Sequence, residues 1–224
     1  MNKIKLTGFI AGALLSIVIL NTAANADSVL FEDTFSKKFL SDKWQVQNDS
    51  ADMRALDEGR LAIVTQPGSI SKGTAKNILT YADPLSEKNA DIAVKLWVDI
   101  QAYGSNWGNR IFGGLTLHNS KTDYMLLYIT NIRGAYRSGS GSYAVLTKTQ
   151  NGKLRPLLMT RLAEMKVGAK DYYLRIEKRN YKFLAMASLD GRKWRRVGTF
   201  ALLNKKLHPG LFATRGAQAD ASSR

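Results

Sequence analysis

Residues 171–200 read Asp171-Tyr-Tyr-Leu-Arg-Ile-Glu-Lys-Arg-Asn-Tyr-Lys-Phe-Leu-Ala-Met-Ala-Ser-Leu-Asp-Gly-Arg-Lys-Trp-Arg-Arg-Val-Gly-Thr-Phe200. The stretch divides into three short strands joined by tight turns. Tyr172, Leu174 and Ile176 alternate with Tyr173, Arg175 and Glu177, a period of two that leaves open which set faces inward. Asp190-Gly191 reads as a two-residue hairpin, because a primed turn needs the positive φ that Gly and Asp tolerate. Eight basic side chains lie between Arg175 and Arg196, so the expected product is an all-β body with a cationic surface.

The same pattern extends in both directions. Ile92, Val94, Leu96, Val98 and Ile100 are apolar at every second position, and the intervening Asp91, Ala93, Lys95, Trp97 and Asp99 are mostly polar. One face of that strand should be buried and the other wet. Strands are also expected at 29–35, 44–47, 61–64, 110–118, 123–130 and 143–149, with turns at Asp57-Glu58-Gly59-Arg60 and Asn151-Gly152 and a flexible loop at 138–142. Leu157–Lys166 fits either a strand or a helix face, and its surroundings favour a strand. Strands at this spacing, without a sustained helical period, indicate one antiparallel sandwich.

The first 26 residues read as a signal peptide: Lys3 and Lys5, an apolar run from Leu6 to Leu20, then Ala24-Asn25-Ala26 as a small-x-small cleavage site. An uncleaved anchor is the rival reading, although the run is shorter than the roughly 20 residues of a spanning helix. The expected destination is the periplasm or the exterior. Residues 27–216 are expected to form the β-sandwich domain and 217–224 a disordered tail. The chain has no cysteine, which excludes disulfides and thiolate metal sites, so an apolar core must hold it together.

Charge is unevenly distributed. Residues 27–109 hold 9 basic and 12 acidic side chains, a net of −3, whereas residues 110–224 hold 22 and 6, a net of +16. In an exported protein this points to anionic partners such as acidic polysaccharide, phosphorylated glycolipid, a membrane surface or nucleic acid. A generic solvated basic surface is the plainer alternative. No recognised nucleic-acid motif is present, so specific nucleic-acid binding is not expected.

Phe31-Glu-Asp-Thr-Phe35, Trp44, Asp57-Glu-Gly-Arg-Leu61, Tyr173-Leu-Arg-Ile-Glu177, Ser188-Leu-Asp-Gly-Arg-Lys-Trp194 and Pro209-Gly-Leu-Phe-Ala213 occur in that order along the chain. As a set they resemble the concanavalin A-like lectin/glucanase superfamily. The resemblance implies an antiparallel two-sheet jelly-roll sandwich and leaves function open. It also implies a last strand, after Ala213, beside the first one. Residues 214–224 are too polar and small to supply it, so either the chain is truncated or an edge at Val29–Phe35 is left unpaired. Sandwiches of this kind often hold calcium near the first strand, where Glu32 and Asp33 could offer oxygens.

Chemistry is sparsely signalled. The glucanase pattern Glu-x-Asp-x-x-Glu is absent, and beyond Arg110 the acids are Asp123, Glu164, Asp171, Glu177, Asp190 and Asp220. Glu177, between Arg175 and Arg179, suits a charge pair better than acid catalysis. A polysaccharide lyase would use Tyr or His as base with Arg and Asn to neutralise a uronate, and His118, Tyr124, Tyr128, Arg110, Asn119 and Arg133 are of the right types. His208, before Pro209, reads as a turn residue, and Trp44, Trp97 and Trp194 as packing. Binding is the better-supported expectation: Trp107 and Arg110 in one Gly/Asn/Ser-rich loop, Arg133, Tyr136 and Arg137 in another, and Tyr128 between them are the candidate ligand contacts. Aromatic rings stack on sugar C–H faces, and guanidinium grips a carboxylate in two bonds. The sequence thus predicts a non-catalytic carbohydrate-binding protein preferring anionic polysaccharide. A lyase or glycoside hydrolase of the same fold is the alternative, and a structural envelope protein the third.

Overall fold

The computed structural model describes residues 12–23, 26–57, 59–70, 72–86, 88–100, 111–120, 122–132, 140–154, 158–163, 168–202 and 206–215. They form two antiparallel sheets of eight strands each. Sheet A contains β1 (Gly12–Ala23), β2 (Ala26–Asp33), β4 (Arg54–Asp57), β5 (Arg60–Val64), β7 (Asn89–Ile100), β13 (Gly168–Arg179), β14 (Lys182–Ser188) and β15 (Arg195–Ala201). Its order is β15-β14-β13-β7-β1-β5-β4, with β2 also paired to β1. Sheet B contains β3 (Trp44–Gln47), β6 (Ile78–Tyr81), β8 (Ile111–Ser120), β9 (Asp123–Ile132), β10 (Gly141–Gln150), β11 (Lys153–Leu154), β12 (Leu158–Ala163) and β16 (His208–Arg215). Its order is β11-β10-β9-β8-β16-β6-β3, with β12 on β10. The fold is all-β, an antiparallel sandwich of two sheets packed across one apolar core.

The core follows from alternation. Ile92, Val94, Leu96 and Val98 on β7, with Tyr172, Leu174 and Ile176 on β13, face Leu115 and Leu117 on β8, Met125, Leu127 and Ile129 on β9, and Leu211 on β16. Each such aliphatic side chain contributes on the order of 1.5–3 kcal/mol when fully buried. The inward set on β13 is therefore Tyr172, Leu174 and Ile176. The Tyr172 hydroxyl shares a 2.7 Å hydrogen bond with Ser142, and burial holds its ionisation above the ordinary tyrosine range.

Sheet B is buried on its other face too. Phe112, Tyr124, Leu126, Tyr128, Tyr143, Val145 and Phe212 form a second cluster with Ile70 and Ala75. The segment before β6 lies along this face. Arg215 N–H donates to the Gln66 carbonyl at 2.9 Å, and the Thr214 hydroxyl donates to the carbonyls of Gln66 and Gly68. Two buried faces explain why β9 reads as a continuous apolar run rather than an alternation.

Two turns differ from expectation. The β14–β15 connection runs from Ser188 to Trp194, since Ala187 pairs with Arg195, so Asp190-Gly191 sits inside a longer loop and is not a two-residue hairpin. The tight turn in that region is Asn180-Tyr181, where Arg179 pairs with Lys182 and Asn180 takes φ 56°. Asn151-Gly152 does form the expected two-residue turn, both residues at positive φ.

Residues 12–23, which the sequence reads as part of an export leader, form in the uncut chain the strand that joins β7 to β5 and β2. The edge expected to be unpaired at the first strand is covered along Ala26–Asp33 by β1. Residues 217–224 lie outside the described residues.

Candidate functional site

The outward face of sheet A is built by β7 and β13. Their register pairs Trp97 with Asp171, Lys95 with Tyr173, and Asp91 with Glu177. Lys95 Nζ lies 2.8 Å from Asp171 Oδ2 and 5.8 Å from the centre of the Tyr173 ring. The Asp171 hydrogen bond holds the Lys95 ammonium above its ordinary pKa. Both partners are about half exposed, so the pair adds only roughly 0–1 kcal/mol. Its consequence is positional, a lysine held upright beside an aromatic ring.

An open cleft of about 520 Å3 begins at this pair, lined by Arg60, Lys95, Trp97, Lys170, Asp171 and Leu189. Trp97 is half-buried, which leaves part of the indole accessible. Arg60 and Lys170 make no ion pair among the described residues. An apolar ring flanked by three cations and one carboxylate can stack a pyranose and neutralise an acidic substituent on it. Trp97 was expected to be packing, and the structure places it in the cleft wall instead. Its signal in the sequence was its place on the wet side of the Ile92–Ile100 alternation.

Beyond the cleft the face carries a charge network. Asp91, 1% exposed, receives Arg175 Nη2 on Oδ2 and Arg179 Nη1 on Oδ1, the latter at 2.7 Å. Arg175 also lies 3.0 Å from Glu177, and its guanidinium sits 5.9 Å from the centre of the Trp194 ring. Trp194 therefore packs on a charged side chain and not in the apolar core. Asp91 stands on the outward side, as the alternation suggested, but the two guanidinium groups shield it from water.

Of the sequence-derived ligand contacts, Trp107, Arg110, Arg133, Tyr136 and Arg137 lie outside the described residues. Tyr128 is corrected. It is 3% exposed, with the Phe112 and Phe212 rings edge-on at 5.5 and 6.0 Å, so its ring is enclosed and offers no sugar platform. Trp44 does pack as expected, against Phe35 and Tyr81.

The described acids beyond residue 110 have structural partners. Asp123 accepts the Asn151 N–H at 3.0 Å. Glu177 pairs with Arg175 and Arg179. Asp190 accepts the N–H groups of Lys193 and Arg192 and the Ser188 hydroxyl, which lower its pKa to about 2. Glu164 and Asp220 lie outside the described residues. Near the first strand, Asp33 Oδ1 accepts the Phe35 N–H at 2.7 Å and Oδ2 the Trp44 indole N–H at 2.8 Å, so the carboxylate proposed for calcium already has two donors. Among the described residues no group of three His, Asp or Glu side chains could hold a metal.

His208 is a strand residue, not a turn residue. It pairs with His118 across β16 and β8, and His118 pairs with Tyr124 across β8 and β9. His208 Nδ1 is 2.9 Å from the Tyr81 carbonyl. Burial, and secondly the charge of His208, lower the His118 pKa below its ordinary value.

No protein-family model and no curated protein matches the chain. Solved structures do resemble it. The GH43 BlXynB protein from Bacillus licheniformis aligns with TM-score 0.64 at 17% identity, over 83% of this chain and 35% of that one. The xyloglucan PUL GH43B of Bacteroides ovatus gives 0.62 at 16%, over 84% and 37%. A xylan beta-1,4-xylosidase from Bacillus halodurans C-125 gives 0.61 at 14%, over 85% and 36%. The chain spans about a third of the length of these proteins, and the likeness is one of fold. Among the described residues no helix is long and apolar enough to cross a membrane.

Proposed function

We propose that this is an exported, non-catalytic carbohydrate-binding protein whose ligand is an anionic polysaccharide held on the outward face of sheet A. The observation that carries the reading is Trp97 in one cleft with Arg60, Lys95 and Lys170. The indole supplies the C–H stacking surface, and the cations supply the preference for uronate or phosphate. Membership of sugar-active proteins among the structural neighbours agrees with it. Binding is favoured over catalysis because Asp171, the acid in the cleft lining, is paired with Lys95, while Asp91, Asp123, Glu177 and Asp190 are held by arginine or backbone N–H groups.

A second reading, a polysaccharide lyase, draws on the Tyr124–His118–His208 row on sheet B. Tyr124 is only 3% exposed, which disfavours it as a base reaching substrate.

A glycan-array screen at low and high salt, with ultraviolet detection of unsaturated uronate, tests both. The expected result is selective binding of acidic glycans with no product. Trp97→Ala should weaken binding about tenfold, equivalent to about 1.4 kcal/mol, at either salt concentration. Equal binding of every polyanion, abolished by modest salt, would reduce the interaction to charge attraction, and product formation would establish the lyase.

A further inference from the structure

β1 has no substitute in sheet A. Along one side it pairs with β7, from Ala13↔Val98 to Leu20↔Asp91. Along the other it pairs with β5, from Gly12↔Val64 to Leu15↔Leu61, and then with β2, from Ile17↔Asp33 to Ala23↔Ala26. Among the described residues no ladder joins β7 to β5 or β2 except through β1. Its register partners on β7 include Ile92, Val94, Leu96 and Val98, all within the core, and on β5 Leu61 and Ile63, both fully buried. The residues standing opposite that core row on β7 are Ile19, Ile17, Leu15 and Ala13, apolar throughout.

We infer that sheet A contains a strand-acceptor slot along β7, and that residues 12–23, the segment that also reads as an export leader, are its occupant in the uncut chain. Cleavage after Ala26 would remove this strand. The N–H and C=O groups of β7 facing β1, and those of β5, would lose their ladder partners in the middle of a sheet. A bare strand bordering an apolar core is a template for an extended apolar segment, so the trimmed chain is a strand acceptor by β-augmentation whose ligand is residues 12–23 supplied in trans. Occupancy also bears on the cleft. Arg60 stands on β5 and Lys95 on β7, two strand spacings apart, with Ser16 of β1 as the register partner of Lys95. The inference rests on the export reading, since it is cleavage that empties the slot, and its test reads folding, so it can fail while glycan binding at the cleft stands, and the reverse.

The test places a site-specific protease sequence between β1 and β2 of the full chain. Thermal unfolding and mass in solution are measured before cutting, after cutting, and after the N-terminal piece has been stripped away, with and without a synthetic Gly12–Ala23 peptide. The nicked but unstripped protein should melt like the parent. The stripped protein should melt about 10 °C or more lower, or self-associate, and the peptide should reverse either change. Leu15→Pro in the uncut chain, which removes a ladder N–H from a central strand, should also lower the melting temperature, whereas Leu15→Val should not. A stripped protein that stays monomeric, melts within about 2 °C of the parent and ignores the peptide would overturn the inference. So would a Leu15→Pro chain that melts like the parent.

Discussion

On β7, Asp91 lies between two guanidinium groups, with Glu177 of β13 opposite it in register. Removing the carboxylate leaves Arg175 and Arg179 crowded around Glu177 alone. Breaking a fully buried pair costs about 3–5 kcal/mol, but these arginines are partly exposed and water screens part of that loss. Asp91→Ala is therefore expected to lower unfolding free energy by about 1–3 kcal/mol, read from the denaturant midpoint. The alternation along β7 marked Asp91 as wet because sequence shows the strand's faces but not which side chains fold over them. The partners lie on β13, more than eighty residues away. His118 gives a prediction in pH. Its folded pKa lies below the unfolded value of 6.5, chiefly through burial. As pH falls through and below 6.5 the unfolded state takes the proton first, so stability present at neutral pH is lost on acidification. The melting temperature should fall between about pH 7.5 and pH 5.5, and His118→Gln should flatten that slope.

At the scale of elements, the strands of residues 171–200 are where their alternation put them, and β7 follows its period of two closely. Local chemistry sufficed there. It was less reliable for turns: Asp-Gly is a strong hairpin signal, yet Asp190 instead ties the loop through Ser188, Arg192 and Lys193, while Asn180 carries the tight turn. Asn tolerates the left-handed region better than most residues with a Cβ, and only the strand register discloses which pair of residues turns. Close ladder approach also escaped the sequence. A Cβ on Gly114 would lie 2.2 Å from the Leu127 carbonyl oxygen and 2.7 Å from Tyr128 Cα, backbone that cannot move aside cheaply. Gly114→Ala should cost about 1–3 kcal/mol, seen as a lower denaturant midpoint with an unchanged slope.

Over the whole molecule, fold class was legible because short strands at regular spacing, with no sustained helical period, indicate a sandwich even where β9 shows a continuous apolar run in place of an alternation. The candidate site was only partly legible. The basic excess beyond residue 110 announced a cationic surface, but the cleft also draws Arg60 and Lys95 from the acidic half of the chain. The adjacency of β5, β7 and β13 that gathers them is non-local, as is the cover over sheet B that encloses Tyr128. Residues 12–23 read two ways for another reason: an apolar run of that length satisfies an export signal and a central strand equally well. The proposed binding of an acidic glycan to the outward face of sheet A, around Trp97, is tested most directly by backbone amide shift mapping by NMR during titration with a uronate oligosaccharide. Perturbations concentrated at Arg60, Lys95, Trp97, Lys170 and Asp171, and abolished in Trp97→Ala, are the predicted result. Perturbations confined to the His118–Tyr124 side of sheet B, or a pattern unchanged by Trp97→Ala, would contradict it.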